Sequence, residues 1–440
     1  MMVAAAAGAT VLLVALVGGL LLPSDLRRGV ALVAAVAVLV SASSPSAPES
    51  VRTAAVVGVV VLLAGAAASP RSWFVPPPRA TVATGALFVV LVVLVLLRAP
   101  STIVLMAELA AVGLLVSWTI ATASARDLLL LVRGLVVLGV GQALLGIVEL
   151  TVLHRPVPWG YKVRADGSVF AGPNRILPGD LTRVEGTLGH PIPYAVFLAV
   201  CLVVLLAHPR LLPSPVVLAL TSLLVVGVLL SGSRSVVAAL VAALTHLLVT
   251  SAQSRRLLNV ITSAVASVVV VWLLEGEIAD GFVTLINSGS WENRVGALAS
   301  VPGLLGRPPL EALLGSGFGS EPELYARGLL PQGGFTVIDN QLVSTLAAFG
   351  VVGVLALVAA LVVGFARAAR VGRAVLLVMA VVLFSFDWFV WFSMAALAFG
   401  AAAWAPRPDV APGTPARAAH VATRQDFVHV GPTRAGSPSR

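Results

Sequence analysis

Successive long apolar blocks constrain this chain more than any other feature. Runs of about 18–25 apolar residues alternate with short stretches of Arg, Pro, Ser and Gly. That is the length a helix rising ~1.5 Å per residue needs to cross a hydrocarbon layer of ~30 Å. The strands of a membrane barrel would instead alternate apolar and polar residues over about ten positions, and 3–22, 87–97 and 216–230 show no alternation. Charged residues are 11% of the 440, against 59% hydrophobic. A soluble domain carries about 25% charged residues, so these are too few to cover a water-facing surface of this size. The sequence predicts an all-α, polytopic transmembrane helix bundle.

Blocks between punctuation place spans at 3–22, 29–43, 52–69, 80–97, 101–123, 127–152, 191–207, 215–231, 235–251, 257–275, 341–364, 374–386 and 390–404. The block at 29–43 is short: with it the spans number thirteen and the N-terminus lies outside, without it twelve and inside. The first block lacks a basic leader and reads as a span, not a cleaved signal. Arg27 and Arg28, Arg71 and Arg79, Arg126, Arg210, Arg255 and Arg256, and Arg367, Arg370 and Arg373 fall in alternating loops. The positive-inside rule makes those loops cytoplasmic. Both long loops, 153–190 and 276–339, then face outward, the second large and partly helical. Asp387, among Trp388, Phe389, Trp391 and Phe392, reads as the outer turn of a hairpin; one long tilted helix with Asp387 buried is the alternative. The units expected are N-terminal helices over 1–125, a core over 126–404, and a Pro-, Ala- and Arg-rich disordered cytoplasmic tail over 405–440.

The net charge of +9 follows the loops and the tail, a topology signal and not a nucleic-acid footprint. Lys162 is the only lysine, and Arg usage beside Ala, Val, Gly and Pro points to a GC-rich, bacterial genome. Cys201 is the only cysteine, which excludes an internal disulfide and a Cys-based metal cluster.

Outward cations are the candidates for chemistry. Loop 153–190 carries Arg155, Lys162, Arg164, Arg175 and Arg183 against Asp166, Asp180 and Glu185. It is either a solvated loop or a set of cations meeting lipid phosphate. Arg234, in Ser231-Gly232-Ser233-Arg234-Ser235, breaks the positive-inside pattern. Guanidinium grips phosphate as a bidentate fork, and an ion pair with a loop carboxylate is the plainer reading. Arg294 stands near the start of an amphipathic helix with Val295, Leu298, Val301 and Leu304 at helical spacing. Cations are disfavoured at a helix start, so it must serve another partner. Gly315-Ser316-Gly317-Phe318-Gly319 is a weak phosphate-cradle signal and at least as often a turn. Asp339 is either the cap of the following span or a general base at the membrane surface. Glu108 and Arg133, inside spans, are candidates by position; they pair with each other or Arg133 snorkels to the cytoplasmic face.

These pieces, in this order, resemble the O-antigen ligase and O-antigen polymerase family of bacterial envelope proteins. The resemblance covers about 126–400. It rests on Gly141-Gln142-Ala143-Leu144-Leu145-Gly146 before the first long loop, Arg183-Val184-Glu185-Gly186-Thr187-Leu188-Gly189-His190-Pro191 at that loop's exit, and Ser231-Gly232-Ser233-Arg234. It continues with Arg294 through Gly317-Phe318-Gly319 and with Asn340 through Gly350-Val351-Val352-Gly353. The resemblance implies an inverting glycosyl transferase of the inner membrane's outer face that uses no metal or other cofactor. Its donor would be a glycan on a polyprenyl pyrophosphate, its acceptor a hydroxyl on a glycan or glycolipid, and its setting a lipid bilayer, with no nucleic acid involved. Arg234 and Arg294 would bind the pyrophosphate and stabilise its leaving charge, Asp339 would be the base, and Arg183, His190 and Asn340 would contact substrate. Ligases of the family often have a His where this chain has Asp339, which leaves His190 as an alternative base and ligase and polymerase unseparated. The competing readings are a transporter or flippase of a lipid-linked substrate, which predicts midplane charges and repeat symmetry, and a non-catalytic assembly protein.

Overall fold

The computed structural model describes residues 26–68, 78–156, 158–159, 172–174, 176–177, 181–208, 211–250, 258, 261, 289–330 and 338–406, with backbone alone over 289–293. The expected span at 3–22, nearly all of that at 257–275, and the tail from 407 lie outside the described residues.

Helices dominate the described residues. In chain order they are α1 (Arg27–Ala42), α2 (Glu49–Ala67), α3 (Arg79–Arg98), α4 (Ile103–Thr122), α5 (Ala125–Val148), α6 (Pro191–Ala207), α7 (Ser214–Leu230) and α8 (Arg234–Val249). Four short helices come next, in the second long loop: α9 (Gly289–Ala299), α10 (Val301–Leu305), α11 (Pro309–Leu314) and α12 (Glu321–Ala326). The last three are α13 (Gln341–Arg367), α14 (Arg370–Val382) and α15 (Phe392–Ala403). Among the described residues there is no strand, only an isolated antiparallel bridge between Pro173 and Thr182.

Five helical segments are long and apolar enough to cross a membrane: Glu49–Ala67, Arg79–Arg98, Pro100–Thr122, Ala125–Leu153 and Gln341–Arg367. This is a helical membrane protein. The other expected spans among the described residues are helices of 12 to 17 residues. The segment 374–404 is not one long helix. It is a hairpin, α14 and α15, closed at its base by Ala369 N–H donating to Trp404 O at 2.6 Å.

Two helices that are apolar on every side, α6 and α15, form the centre. Val196, Cys201 and Val203 of α6, and Met394 and Ala398 of α15, are fully buried. A helix with no polar face belongs inside a bundle. Around them the outer helices present large apolar side chains outward, among them Val61, Val89, Leu97, Val137, Val241 and Leu355, as lipid permits and water does not. Lipid also removes the hydrophobic drive for helix to meet helix, so close packing of small residues carries the association. A Cβ on Gly139 would stand 2.6 Å from Cys201 Cβ, and one on Gly364 would stand 2.7 Å from Ala402 Cβ. Glu108 on α4 has Arg52 of α2 as its cationic neighbour and not Arg133, which is exposed on α5.

Polar contacts sort the loops to two ends. At one end Arg28 Nη1 donates to Thr122 O at 2.6 Å, and the carboxylate of Asp127 accepts from Gly29 N–H at 2.7 Å while closing a capping box with Ser124. At the other end Thr187 Oγ1 donates to Val40 O at 3.0 Å and Arg98 Nε to Gly315 O at 3.0 Å. Arg27, Arg28 and Arg126 thus share an end opposite both long loops, as alternating arginines require.

Candidate functional site

The first long loop returns to the bundle on a carboxylate. α5 ends in a π-turn, Glu149–Leu153, and Glu149 is 4% exposed. Its oxygens accept from the backbone N–H groups of Gly186 at 2.8 Å and Glu185 at 3.1 Å. Gln142, two turns earlier, accepts from Thr187 N–H at 3.2 Å and donates to Thr187 Oγ1 at 2.7 Å. Gln142 stands in a motif that carries the resemblance, but the sequence assigns neither side chain this role. An acid closing an apolar block is the one signal available for Glu149.

Held this way, the loop exit meets the turn between α7 and α8. Asn174 donates to Leu229 O and Leu230 O at 3.0 and 2.9 Å. Arg183 donates through Nε to Ser231 O at 2.7 Å and through Nη2 to Ser233 Oγ at 3.1 Å. Gly232 makes this contact possible: its φ is +65°, and a Cβ there would lie 3.2 Å from Arg183 Cγ. Arg183 therefore fixes the turn that presents Arg234, the first residue of α8.

From the second long loop comes Arg294. It lies in the second turn of α9 and not at its start, so no helix-end repulsion needs explaining. Asp339 immediately precedes α13, but Asn340 is the cap: its Oδ1 accepts from Leu342 N–H at 3.0 Å and Val343 N–H at 3.1 Å. The capping role considered for Asp339 is filled by its neighbour.

Four of the candidate residues converge. Burial draws the Arg183 guanidinium down to about 10; Glu185 opposes this, Arg294 and Arg234 add to it, and Asp339 opposes it. Arg294 is likewise below its ordinary value, through burial first, with Asp339 opposing and Arg234 adding. Its Nε is buried without a hydrogen-bond partner among the described residues. Three guanidiniums from three separate stretches of chain thus share one electrostatic neighbourhood with Asp339. Such mutual repulsion is relieved by a multiply charged anion.

His190 caps α6, its Nδ1 accepting from Ile192 N–H at 3.3 Å, and its ring lies 5.9 Å from that of Trp391. Arg155 is exposed, and Lys162, Arg164, Asp166, Arg175 and Asp180 lie outside the described residues. The Gly-rich stretch is not a phosphate cradle but a brace. The N–H groups of Ser316 and Gly317 each donate at 3.0 Å to Ala347 O and Ala348 O of α13. Gly315 packs so closely against the Ala348 carbonyl that a Cβ would collide. Among the described residues no group of three His, Cys, Asp or Glu side chains is arranged to hold a metal.

No protein-family model matches this chain, and no curated protein matches it. The functional reading therefore stands on this geometry and on the order of the motifs.

Proposed function

We propose that this chain is a membrane glycan transferase, O-antigen ligase-like or polymerase-like, acting on a polyprenyl pyrophosphate donor at the outer face of a bacterial inner membrane. One observation carries the reading: Arg183, Arg234 and Arg294 converge with Asp339 where two loops expected on the same outer side meet. The rest of the topology in this reading is the expected twelve or thirteen spans, with the arginine-bearing end in the cytoplasm.

The chemistry is set by those groups. Arg234 and Arg294 bind the pyrophosphate as forked donors, and Arg183 adds charge while holding the turn that carries Arg234. An acceptor hydroxyl oxygen attacks the anomeric carbon from the face opposite the phosphate. The bond from that carbon to the phosphate oxygen breaks, and its electron pair leaves with the carrier pyrophosphate, whose growing charge the guanidiniums stabilise. The hydroxyl proton passes to the Asp339 carboxylate.

The test is glycan transfer by the purified chain in vesicles from a polyprenyl pyrophosphate donor. Arg234→Ala and Arg294→Ala should each lower transfer at least ~100-fold, the scale of losing one stabilising donor. Lys at either position should restore only part, since it lacks the fork. Undiminished transfer in both Ala variants refutes the mechanism.

A further inference from the structure

At the end of the bundle opposite both long loops, an apolar cavity adjoins a cation with unpartnered donors. The cavity, about 40 Å³ and partly open, is lined by α1, α4, α5, α6, α14 and α15. Leu32, Ile120, Leu131, Val204 and Ala396 supply hydrocarbon, and Trp404, just after α15, completes the lining. A water there would lack the polar partners that hold buried water. Empty apolar space forfeits contacts and weakens the packing around it. A hydrocarbon segment is therefore the occupant that the lining favours.

Arg28 lies one helical turn before Leu32 on α1, which puts the two on one face. Its Nη1 donates to Thr122 O at 2.6 Å, two residues past Ile120. Its Nε and Nη2 are buried without a hydrogen-bond partner among the described residues. Asp127, one turn before Leu131, is committed elsewhere. Its Oδ1 accepts from Gly29 N–H at 2.7 Å, and its Oδ2 accepts from the N–H and the hydroxyl of Ser124, both at 2.8 Å. The Arg28 head is thus anchored through one nitrogen, within a turn of three residues of the cavity wall.

The two unpartnered nitrogens are the informative pair. Nε and Nη2 form one edge of the guanidinium, and such an edge takes two oxygens of a single phosphate. Phosphate beside a hydrocarbon cavity is the chemistry of a phospholipid. Basic pockets between spans take anionic headgroups, and a tryptophan such as Trp404 suits the depth where headgroup meets chain.

We propose that this is a binding site for an anionic phospholipid of the leaflet at that end. The lipid phosphate takes the Nε–Nη2 edge of Arg28, and one acyl chain enters the cavity beneath Leu32, Ile120 and Leu131. The three converging arginines lie at the other end, so this lipid is a resident of the bundle and not the donor. The site stands independently of the transferase reading.

The test uses the full chain in nanodiscs of phosphatidylcholine with increasing dioleoylphosphatidylglycerol. Lipid retained on transfer to mild detergent is counted by native mass spectrometry. Wild type should retain phosphatidylglycerol over phosphatidylcholine by about 10-fold or more. Arg28→Ala should lose that preference, and Arg28→Lys should keep only part, since the charge stays and the fork goes. The Lys variant reads the same contrast if the Ala variant does not fold. Ala396→Leu fills the cavity and should lower phosphatidylglycerol retention by a similar factor; Ala396→Val is the milder version. Equal retention of the two lipids by wild type, or a preference unchanged in both Arg28 variants, overturns the headgroup assignment. Retention unchanged in both Ala396 variants overturns the place of the acyl chain. Displacement by equimolar polyprenyl phosphate overturns the phospholipid in favour of a carrier lipid, and displacement by inorganic phosphate alone overturns the lipid altogether.

Discussion

Replacing Arg307 with Ala should damage the protein more than removing any exposed arginine, because this residue holds open a broken helix. Gly350 interrupts α13 with φ 63° and ψ −163°, so the turn before it cannot complete its ordinary ladder. Arg307, 5% exposed, reaches into that turn. It donates through Nη2 to Leu346 O at 2.8 Å, through Nη1 to Ala347 O at 3.0 Å and Ser316 Oγ at 2.6 Å, and through Nε to Leu304 O at 2.7 Å. Ala347 O also accepts Ser316 N–H, and Ser316 Oγ also donates to Glu311, so the acceptor in the broken turn that depends most on Arg307 is Leu346 O. An unmade buried group costs about 1–3 kcal/mol, and Glu311 loses a partner 3.8 Å away. Glu311 keeps Arg327 at 2.7 Å, so the loss is that of one or two unmade buried groups, roughly 2–4 kcal/mol, and the melting temperature falls by about 2–4 °C in a chain of this size. Cys201 makes the assay simple. It is the only cysteine and is fully buried in α6, so a thiol-reactive dye reports unfolding during heating in detergent. An Arg307→Ala protein that melts within about 1 °C of wild type refutes this role for Arg307 at the break.

Gly350→Ala should cost at least about 1–3 kcal/mol for the positive φ alone, and more because the new Cβ collides with Leu313 O; the same dye assay reads it. Arg183→Lys should keep the charge but lose the joint hold on Ser231 O and Ser233 Oγ. Transfer should fall by about 10-fold or more with the melting temperature nearly unchanged, and equal activity would remove Arg183 from the site. Asp387 is pushed up to about 6 from 3.8, by burial first. The folded state therefore holds this proton more tightly than the unfolded chain does. Its stabilising contribution is full below pH 3.8 and lost as pH rises through about 6. The melting temperature of Asp387→Asn should gain on wild type across that interval and run parallel above it; a constant difference counts against the shift.

The bundle is legible in the sequence because lipid leaves so few solutions. Blocks at 80–97 and 101–123 differ from the observed segments only at their ends. The hairpin around Asp387 is legible from its aromatic neighbours. What the pattern does not carry is phase at single residues. Asp339 and Asn340 are equally good capping types, and only the backbone decides that Asn340 caps. Gly350 looks like any glycine in an apolar run, so the break, the bracing Gly-rich stretch and the buried Arg307 stay hidden together. The capping box of Ser124 and Asp127 is written at the spacing such boxes require, but is easily overlooked beside Arg126. Arg183, Arg234, Arg294 and Asp339 are readable because charges between apolar blocks are conspicuous in a membrane chain. Asp387 is readable only as the turn of that hairpin, and its hydrogen bond from Ser344 of α13 appears only in the fold.

The central claim, that three guanidiniums form one polyanion site, is tested most directly by binding. The purified chain in nanodiscs is titrated with polyprenyl pyrophosphate and, separately, with the matching monophosphate. Such a site should bind the pyrophosphate saturably, tighter than the monophosphate by about 10-fold or more, and more weakly by a similar factor in Arg234→Ala and in Arg294→Ala. Equal affinity for both lipids, unchanged by either substitution, would contradict it.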